Sequence, residues 1–299
     1  MGQPTNRPSN KKPIVSIVTP SYNQGRFIEE TLRSVKHQWY PHIEHIVVDG
    51  ESTDDTLEIL QRYEASYNLR WVSEPDQGQT DAINKGFAMT KGDIVGWLNS
   101  DDIYLTQDVV GTVVDAFRRT VTSSVIYGDS AILSKVGYIL RIEAKPRFSY
   151  GHLLRDCFID QPSVFFPREI IARHQLDVDL NYAMDYEYWL RLAREYPFRH
   201  LPRVLSGDRN HPDRKIIAER AAMKAESVEM QRLYGQSFGA AHKFGRLRDK
   251  VVSGGCRVKG LFEYLALRRQ NDFACNVWTD GLAATTYRQL LMRNRDLAH

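Results

Sequence analysis

The residues with the plainest chemical potential are Asn99, Ser100, Asp101 and Asp102, which close the stretch GDIVGWLNSDD at 92–102. An apolar run with the character of a buried strand ends here on two adjacent carboxylates. Such carboxylates repel each other unless a positive charge is shared between them. A hard divalent ion does this, because Mg2+ and Mn2+ take oxygen ligands, keep some waters and complete their shell with substrate phosphates. The cluster therefore points to a cation–diphosphate site. Helix capping competes for the same residues, since Asp and Ser also suit the turn before TQDVVGTVVDAF. Asp49 and Glu74 tip the balance toward chemistry, because each falls just past another apolar run.

These acids need elements that bring them together. IVSIVT (14–19), IEHIVVD (43–49), LRWVS (69–73) and DIVGWL (93–98) are short, β-branched runs expected as buried strands. Between them, 26–38, 56–66 and 79–90 carry apolar residues at helical spacing, the second preceded by the capping residues ESTDD. Strands alternating with helices predict βαβ units and a mostly parallel sheet. Ligands of such sheets bind at the carboxyl ends of the strands, where Asp49, Glu74 and the 99–102 cluster fall. Further on, 124–133 and 136–144 are expected as a hairpin, 162–167 as a short apolar run, and 184–196 as an amphipathic helix. Residues 214–235 are charged and helical, and a basic helical appendage begins near 240.

Composition excludes several classes. The 299 residues suit one large α/β domain with an appendage, and 42% hydrophobic and 26% charged residues are ordinary for a globular protein. A net charge of +3 is too small to argue for nucleic acid. Cys157, Cys256 and Cys275 share no metal or disulfide spacing, which suits a reducing compartment. The first twelve residues are polar, with no secretory apolar core, and are expected as a disordered leader. No run approaches the roughly 20 apolar residues of a membrane span, so a cytoplasmic location is expected.

PSYN (20–23), VVDGESTDDT (47–56), EPDQGQTDAINKGF (74–87) and GWLNSDD (96–102), in this order and spacing, resemble the family-2 inverting glycosyltransferases of bacterial type. The resemblance runs from residue 14 to about 212. It implies a GT-A fold, Rossmann-like with a mostly parallel central sheet and flanking helices. The expected division is a leader at 1–12, a catalytic domain at 13–212 with a nucleotide half (13–104) and an acceptor half (105–212), and a helical extension at 213–299. It also implies a nucleotide-diphosphate sugar as donor, UDP ahead of dTDP and GDP, and a glycan or lipid-linked acceptor, as in cell-envelope polysaccharide biosynthesis.

Carried over position by position, the resemblance gives Pro20 and Tyr22 to the base pocket. It has Asp49 accept a hydrogen bond from the pyrimidine, with Asp54 beside it. Glu74, Asp81, Asn84 and Lys85 cover the nucleotide and sugar. Asn99 stands where many members carry Asp, near the ribose. Asp101 and Asp102 hold Mn2+ or Mg2+, either one as the direct ligand. In MDYEYWLRLA, Asp185 matches the general base that takes the acceptor's proton, with Glu187 as understudy. Gln161 of QPSVFF lies near the acceptor or donor sugar. His211 of SGDRNHPDRK is placed at the metal or diphosphate, with Arg209, Arg214 and Lys215 available to phosphate.

Three other functions compete. A nucleotidyltransferase would show a glycine- and arginine-rich loop after the first strand, and IVTPSYNQGRF lacks one. A non-catalytic sugar-nucleotide or glycan-binding module would not need Asp185. The basic tail interleaves its charges with Phe244, Leu247, Val251, Val252, Leu261, Phe262 and Leu265. That pattern suits a peripheral membrane contact better than nucleic acid, and a helix packed on the catalytic domain equally well.

Overall fold

The computed structural model describes residues 12–120, 123–212, 214, 219–235 and 241–268. Residues 1–11 of the leader expected at 1–12, Lys215 and the end of the extension lie outside the described residues. Strands β1 (Val15–Ser21), β2 (Ile43–Asp49), β3 (Leu69–Ser73) and β4 (Ile94–Trp97) run parallel, connected by helices α1 (Ile28–Lys36), α2 (Thr56–Glu64) and α3 (Gln79–Met89). Every residue of β1 is buried, as a strand with helices on both faces requires. Val18 packs with Ile83 and Phe87 of α3, while Val15 and Ile17 pack with Val35 of α1 on the opposite side. α3 lies so close that a Cβ on Gly86 would come within 2.3 Å of Val18 Cγ1.

The second half turns the parallel sheet into a mixed one. It contains β5 (Ile103–Tyr104), α4 (Val109–Arg118), the hairpin of β6 (Val125–Leu133) and β7 (Ile139–Glu143), and α5 (Tyr150–Leu153). A 3-10 turn (Gln161–Ser163), β8 (Val164–Pro167), α6 (Arg168–Arg173), α7 (Met184–Leu192) and β9 (Phe198–Arg209) follow. The sheet order is β3-β2-β1-β4-β8-β6-β9-β5, with β7 paired to β6. β8 enters antiparallel between β4 and β6, which makes the sheet mixed, although β6 and β9 beyond it again run parallel. The hairpin is as expected, with Gly137 at φ 88° in its turn. Strand β9 was not legible, because its polar half-exposed start hides the alternation.

The extension is helical where described, as α8 (Arg220–Gly235) and α9 (Ala241–Arg268). α9 packs on the β6–β7 hairpin, where a Cβ on Gly260 would meet Ile142 O at 2.3 Å. Lys259 of α9 lies 3.2 Å from Asp129, a buried carboxylate that also takes the Lys145 N–H and lies 2.7 Å from His200 Nε2. Asp249 pairs with Arg155. A buried carboxylate must be neutralised to be tolerated, so Asp129 gives this helix a fixed place against the sheet.

Candidate active site

Register fixes the floor of the site. Ser21, Asp49 and Ser73 are paired across β1, β2 and β3, so three strands end level. Beyond them is a cleft of about 350 Å³, lined among others by Pro20, Tyr22, Asp76, Gln79, Asn99 and Asp101. Ser21, Gln24, His211 and Arg214 reach the same cleft. Ser21 Oγ and Gln24 Oε1 are buried without a hydrogen-bond partner among the described residues. Such atoms are costly unless a ligand or water meets them. Tyr22 stands 62% exposed at the rim.

Several expected nucleotide contacts are already engaged within the protein. Asp49 is fully buried and accepts from Ser52 N (2.8 Å), Ser52 Oγ (2.5 Å) and Ser73 Oγ (2.8 Å). Asp54 accepts from Gly25 N at 2.9 Å and Thr56 N at 3.0 Å, tying the loop after β1 to the start of α2. Lys85 bridges Glu74 (3.0 Å) and Asp81 (3.3 Å) and donates to Pro75 O, which clips the 74–78 loop onto α3. Asn84 faces away from the cleft: its amide donates to Leu176 O and accepts from Leu176 N, both at 3.0 Å. Asn99 Oδ1 accepts from Gln79 Nε2 and Trp97 Nε1, so its side chain braces the cleft wall.

The structure separates the two carboxylates that sequence left equivalent. Asp101 lines the cleft, and its Oδ2 lies 3.0 Å from His211 Nε2. Asp102 is buried behind it and accepts the Arg209 N–H at 3.0 Å. Burial, together with Asp101 and Asp208 nearby, pushes the Asp102 carboxyl well above the ordinary carboxylate range. Asp208 is likewise pushed up, to about 6, chiefly by burial. Arg214 lies 2.7 Å from Asp208, close to all three acids. Arg209 is not available to phosphate. It is fully buried, donates to Asp101 O and Lys135 O, and pairs with Glu30 at 2.6 Å. It thereby holds the 101–102 loop from beneath.

Among the described residues no group of three or more His, Cys, Asp or Glu side chains is arranged around one point as a metal cage. One carboxylate and one imidazole facing a phosphate-sized cleft still fit a divalent ion that draws its other ligands from water and diphosphate. Asp101 and His211 are the pair that could hold it, with Asp102 behind them.

Asp185 begins α7, with its own carboxylate accepting the Tyr186 N–H at 2.7 Å. Burial pushes its pKa up to about 6, and Asp160 adds to the effect. Two contacts set its place. Thr80 Oγ1, beside Gln79 of the cleft, donates to Leu180 O and lies 2.8 Å from Met184 Sδ. Glu226 of α8 accepts the N–H groups of Tyr182 and Ala183 at 2.8 Å each, capping the start of α7. Nothing in the charged pattern of 214–235 distinguished Glu226 from its solvated neighbours. Glu187 points elsewhere: it pairs with Arg191 at 2.8 Å and accepts from Tyr234. Gln161 is buried, and its Nε2 donates to Trp97 O at 2.5 Å, joining the 3-10 turn to the end of β4.

With this geometry in hand, comparison with known proteins is informative. Residues 16–161 match the family model described as glycosyl transferase family 2. The chain is 33% identical over 184 residues to an uncharacterised glycosyltransferase of Mycobacterium tuberculosis, covering 60% of this chain and 69% of that protein. It is 27% identical over 228 residues to the chondroitin synthase of Escherichia coli, covering 74% of this chain but only 33% of that longer protein. Among solved structures, S. aureus TarS 1–349 in complex with UDP-GlcNAc aligns with a TM-score of 0.58 at 18% identity, over 74% of this chain and 65% of that one. The mannosyltransferase PcManGT of Pyrobaculum calidifontis, in complex with GDP-Man and Mn2+, aligns with a TM-score of 0.57 at 19% identity, over 96% and 86%. Both structural likenesses establish the GT-A-like fold.

Proposed function

The chain belongs to glycosyl transferase family 2 and is a glycosyltransferase; from that premise we propose that it transfers a sugar from a nucleotide-diphosphate donor to a hydroxyl group with inversion at the anomeric carbon. The observation that carries this proposal is the convergence of two unlike acidic sites on one end of the sheet. Asp101 faces a phosphate-sized cleft beside His211 and Arg214. Asp185 directly follows Met184, which Thr80 contacts at the same cleft wall, and carries a pKa raised to about 6, near the working range of a general base.

In the reaction we infer, the acceptor oxygen forms a bond to the anomeric carbon while the bond from that carbon to the diphosphate oxygen breaks. Asp185 receives the acceptor's proton, and the nucleoside diphosphate leaves from the opposite face. Asp101 and His211 would hold Mn2+ or Mg2+, which would supply Lewis-acid neutralisation of the diphosphate. Arg214 adds a fixed positive charge at the same cleft. Pro20, Tyr22 and Ser21 line the base pocket, and Asp49 and Asp54 hold the loops that shape it. UDP is the first candidate nucleotide, in keeping with the TarS neighbour solved with UDP-GlcNAc; GDP follows from the PcManGT neighbour, whose complex also contains Mn2+.

Calorimetric titration of UDP, dTDP and GDP, each with and without Mn2+, tests this. One nucleotide, UDP first, is expected to bind in a metal-dependent way, and Asp101→Ala is expected to weaken it by about tenfold or more. Binding that ignores the metal would remove the role given to Asp101 and His211. Failure of every nucleotide to bind would remove the transferase mechanism for this chain.

A specific observation favours a membrane-proximal acceptor. No described helix is long and apolar enough to cross a membrane. Yet α9 exposes Val251, Val258, Leu261 and Phe262, the last at 68%, with Arg248 and Lys250 exposed beside them. An apolar stripe flanked by cations suits the surface of an anionic bilayer, such as the cytoplasmic face of a membrane, where a lipid-linked acceptor would be presented. The chain is expected to float with vesicles containing anionic lipid and not with neutral ones, and Val258→Glu/Phe262→Glu to lose that association. Equal behaviour of variant and parent would reject this contact.

A further inference from the structure

Beside the donor cleft lies a larger cavity of about 820 Å³, and the two share Arg214. Its volume lies in the range that encloses small-molecule ligands. Cys157 and Asp160 are among its lining residues, and the Asp160 carboxylate helps to raise the pKa of Asp185. An acceptor seated in this cavity therefore adjoins the donor cleft at Arg214 and faces Asp160, whose carboxylate acts on the base proposed above.

The charges in its wall are not all accounted for by the protein. Glu143 is paired with Arg141 at 2.5 Å, Asp160 with Lys145 at 2.6 Å, and Asp208 with Arg214 at 2.7 Å. Arg220, at the start of α8, and Arg257, in α9, also line the cavity. Among the described residues neither has an ion-pair partner within 4.0 Å, and the one lining carboxylate left over is Asp156. A guanidinium fixed on a helix at a concave wall presents a planar fork of donors that matches phosphate and carboxylate oxygens. Two such forks face a cavity whose other cations are already neutralised. Both lie beyond the 16–161 segment that the family model matches, so this feature belongs to the chain's own extension.

We propose that this cavity binds an acceptor carrying an anionic oxygen group, phosphate or carboxylate, which Arg220 and Arg257 hold. The proposal rests on the transferase mechanism above for the cavity's role, and for its chemistry on two guanidinium groups that have no ion-pair partner among the described residues. It makes the extension part of acceptor selection as well as a structural brace for α7.

The test keeps the two apart. With the donor cleft filled by UDP and Mn2+, glucose 1-phosphate, glucuronic acid and methyl glucoside are titrated and followed by ligand-observed NMR. At least one anionic sugar is expected to bind about tenfold more tightly than the neutral glucoside, as two charge-assisted contacts worth a few-fold each would give. Which anionic sugar wins distinguishes a sugar phosphate from a uronic acid as the source of the group. Arg220→Gln/Arg257→Gln is expected to abolish the preference while UDP affinity stays within about twofold. Both residues are exposed and without ion pairs, so unchanged thermal melting is expected to verify the fold. Equal binding of the three sugars, no binding of any, or a preference that survives in the double variant would overturn the proposal. Failure of UDP to bind counts instead against the donor mechanism, and the same sugar series without UDP still reads the cavity.

Discussion

Asp185→Asn is expected to lower the transfer rate by about 10²- to 10⁴-fold, the usual loss when a positioned general base is removed, while nucleotide affinity changes little. Asparagine keeps the size of the side chain and its ability to accept the Tyr186 N–H, so geometry is preserved and only proton transfer is lost. The pH dependence gives a second readout. The carboxylate is active when deprotonated, and burial places its pKa at about 6. Activity of the parent should therefore rise with pH through about 6 and level off above it, and this acid limb should be absent from the residual activity of the variant. Stability should move the opposite way. A carboxyl whose pKa is raised on folding favours the folded state while protonated and penalises it once ionised. The penalty grows as pH rises from the ordinary carboxylate range and is complete above about 6. Asp185→Asn should thus be more stable than the parent at pH 7 to 8, by at most about 3 kcal/mol. A variant that retains parental activity would eliminate Asp185 as the base.

Arg209→Met is expected to destabilise the fold by about 3–5 kcal/mol, the cost of breaking an ion pair whose guanidinium is fully buried. The side chain is fully buried and performs three tasks at once. It pairs with Glu30 on α1, donates to the carbonyls of Asp101 and Lys135, and lies over the Phe27 ring with 5.4 Å to its centroid. Methionine fills much of the volume but removes the guanidinium that Glu30 pairs with at 2.6 Å and the donor that the Asp101 and Lys135 carbonyls share. Urea denaturation of the two proteins measures the difference, and a loss under about 1 kcal/mol would show that Arg209 carries no such weight. Arg209→Lys should recover only part of the loss, because a point charge cannot serve three directions that a guanidinium fork serves.

The parallel half of the fold was legible because it is local in origin. IVSIVT, IEHIVVD and DIVGWL are continuous apolar runs, which is what a strand covered on both faces needs, and their helices carry apolar residues at a spacing that buries one face. That half alone dictates that Asp49, Glu74 and the 99–102 cluster meet at one edge. β9 was not legible, since only half of its length is buried and it contains Pro202. Nor was the antiparallel entry of β8, since a four-residue apolar run carries no direction.

Sequence by itself determined which residue types could do chemistry and at which end of the sheet they gather. Only the tertiary structure decided which of them are left for a ligand. Asp101 and Asp102 are chemically alike and adjacent, yet one faces the cleft and the other is buried against the Arg209 backbone. Arg209 and Arg214 are cations close together in sequence, at and just after the end of β9, yet only Arg214 reaches the cleft. Glu187 and Asn84 could touch substrate by type, yet Arg191, Tyr234 and Leu176 occupy them. Glu226, one acid among many in a charged helix, caps the segment that presents Asp185. The physical reason is common to all four. A polar side chain is spent or free according to partners brought to it by the fold, and those partners are mostly remote in sequence, as Glu30 is from Arg209 and Asp101 from His211.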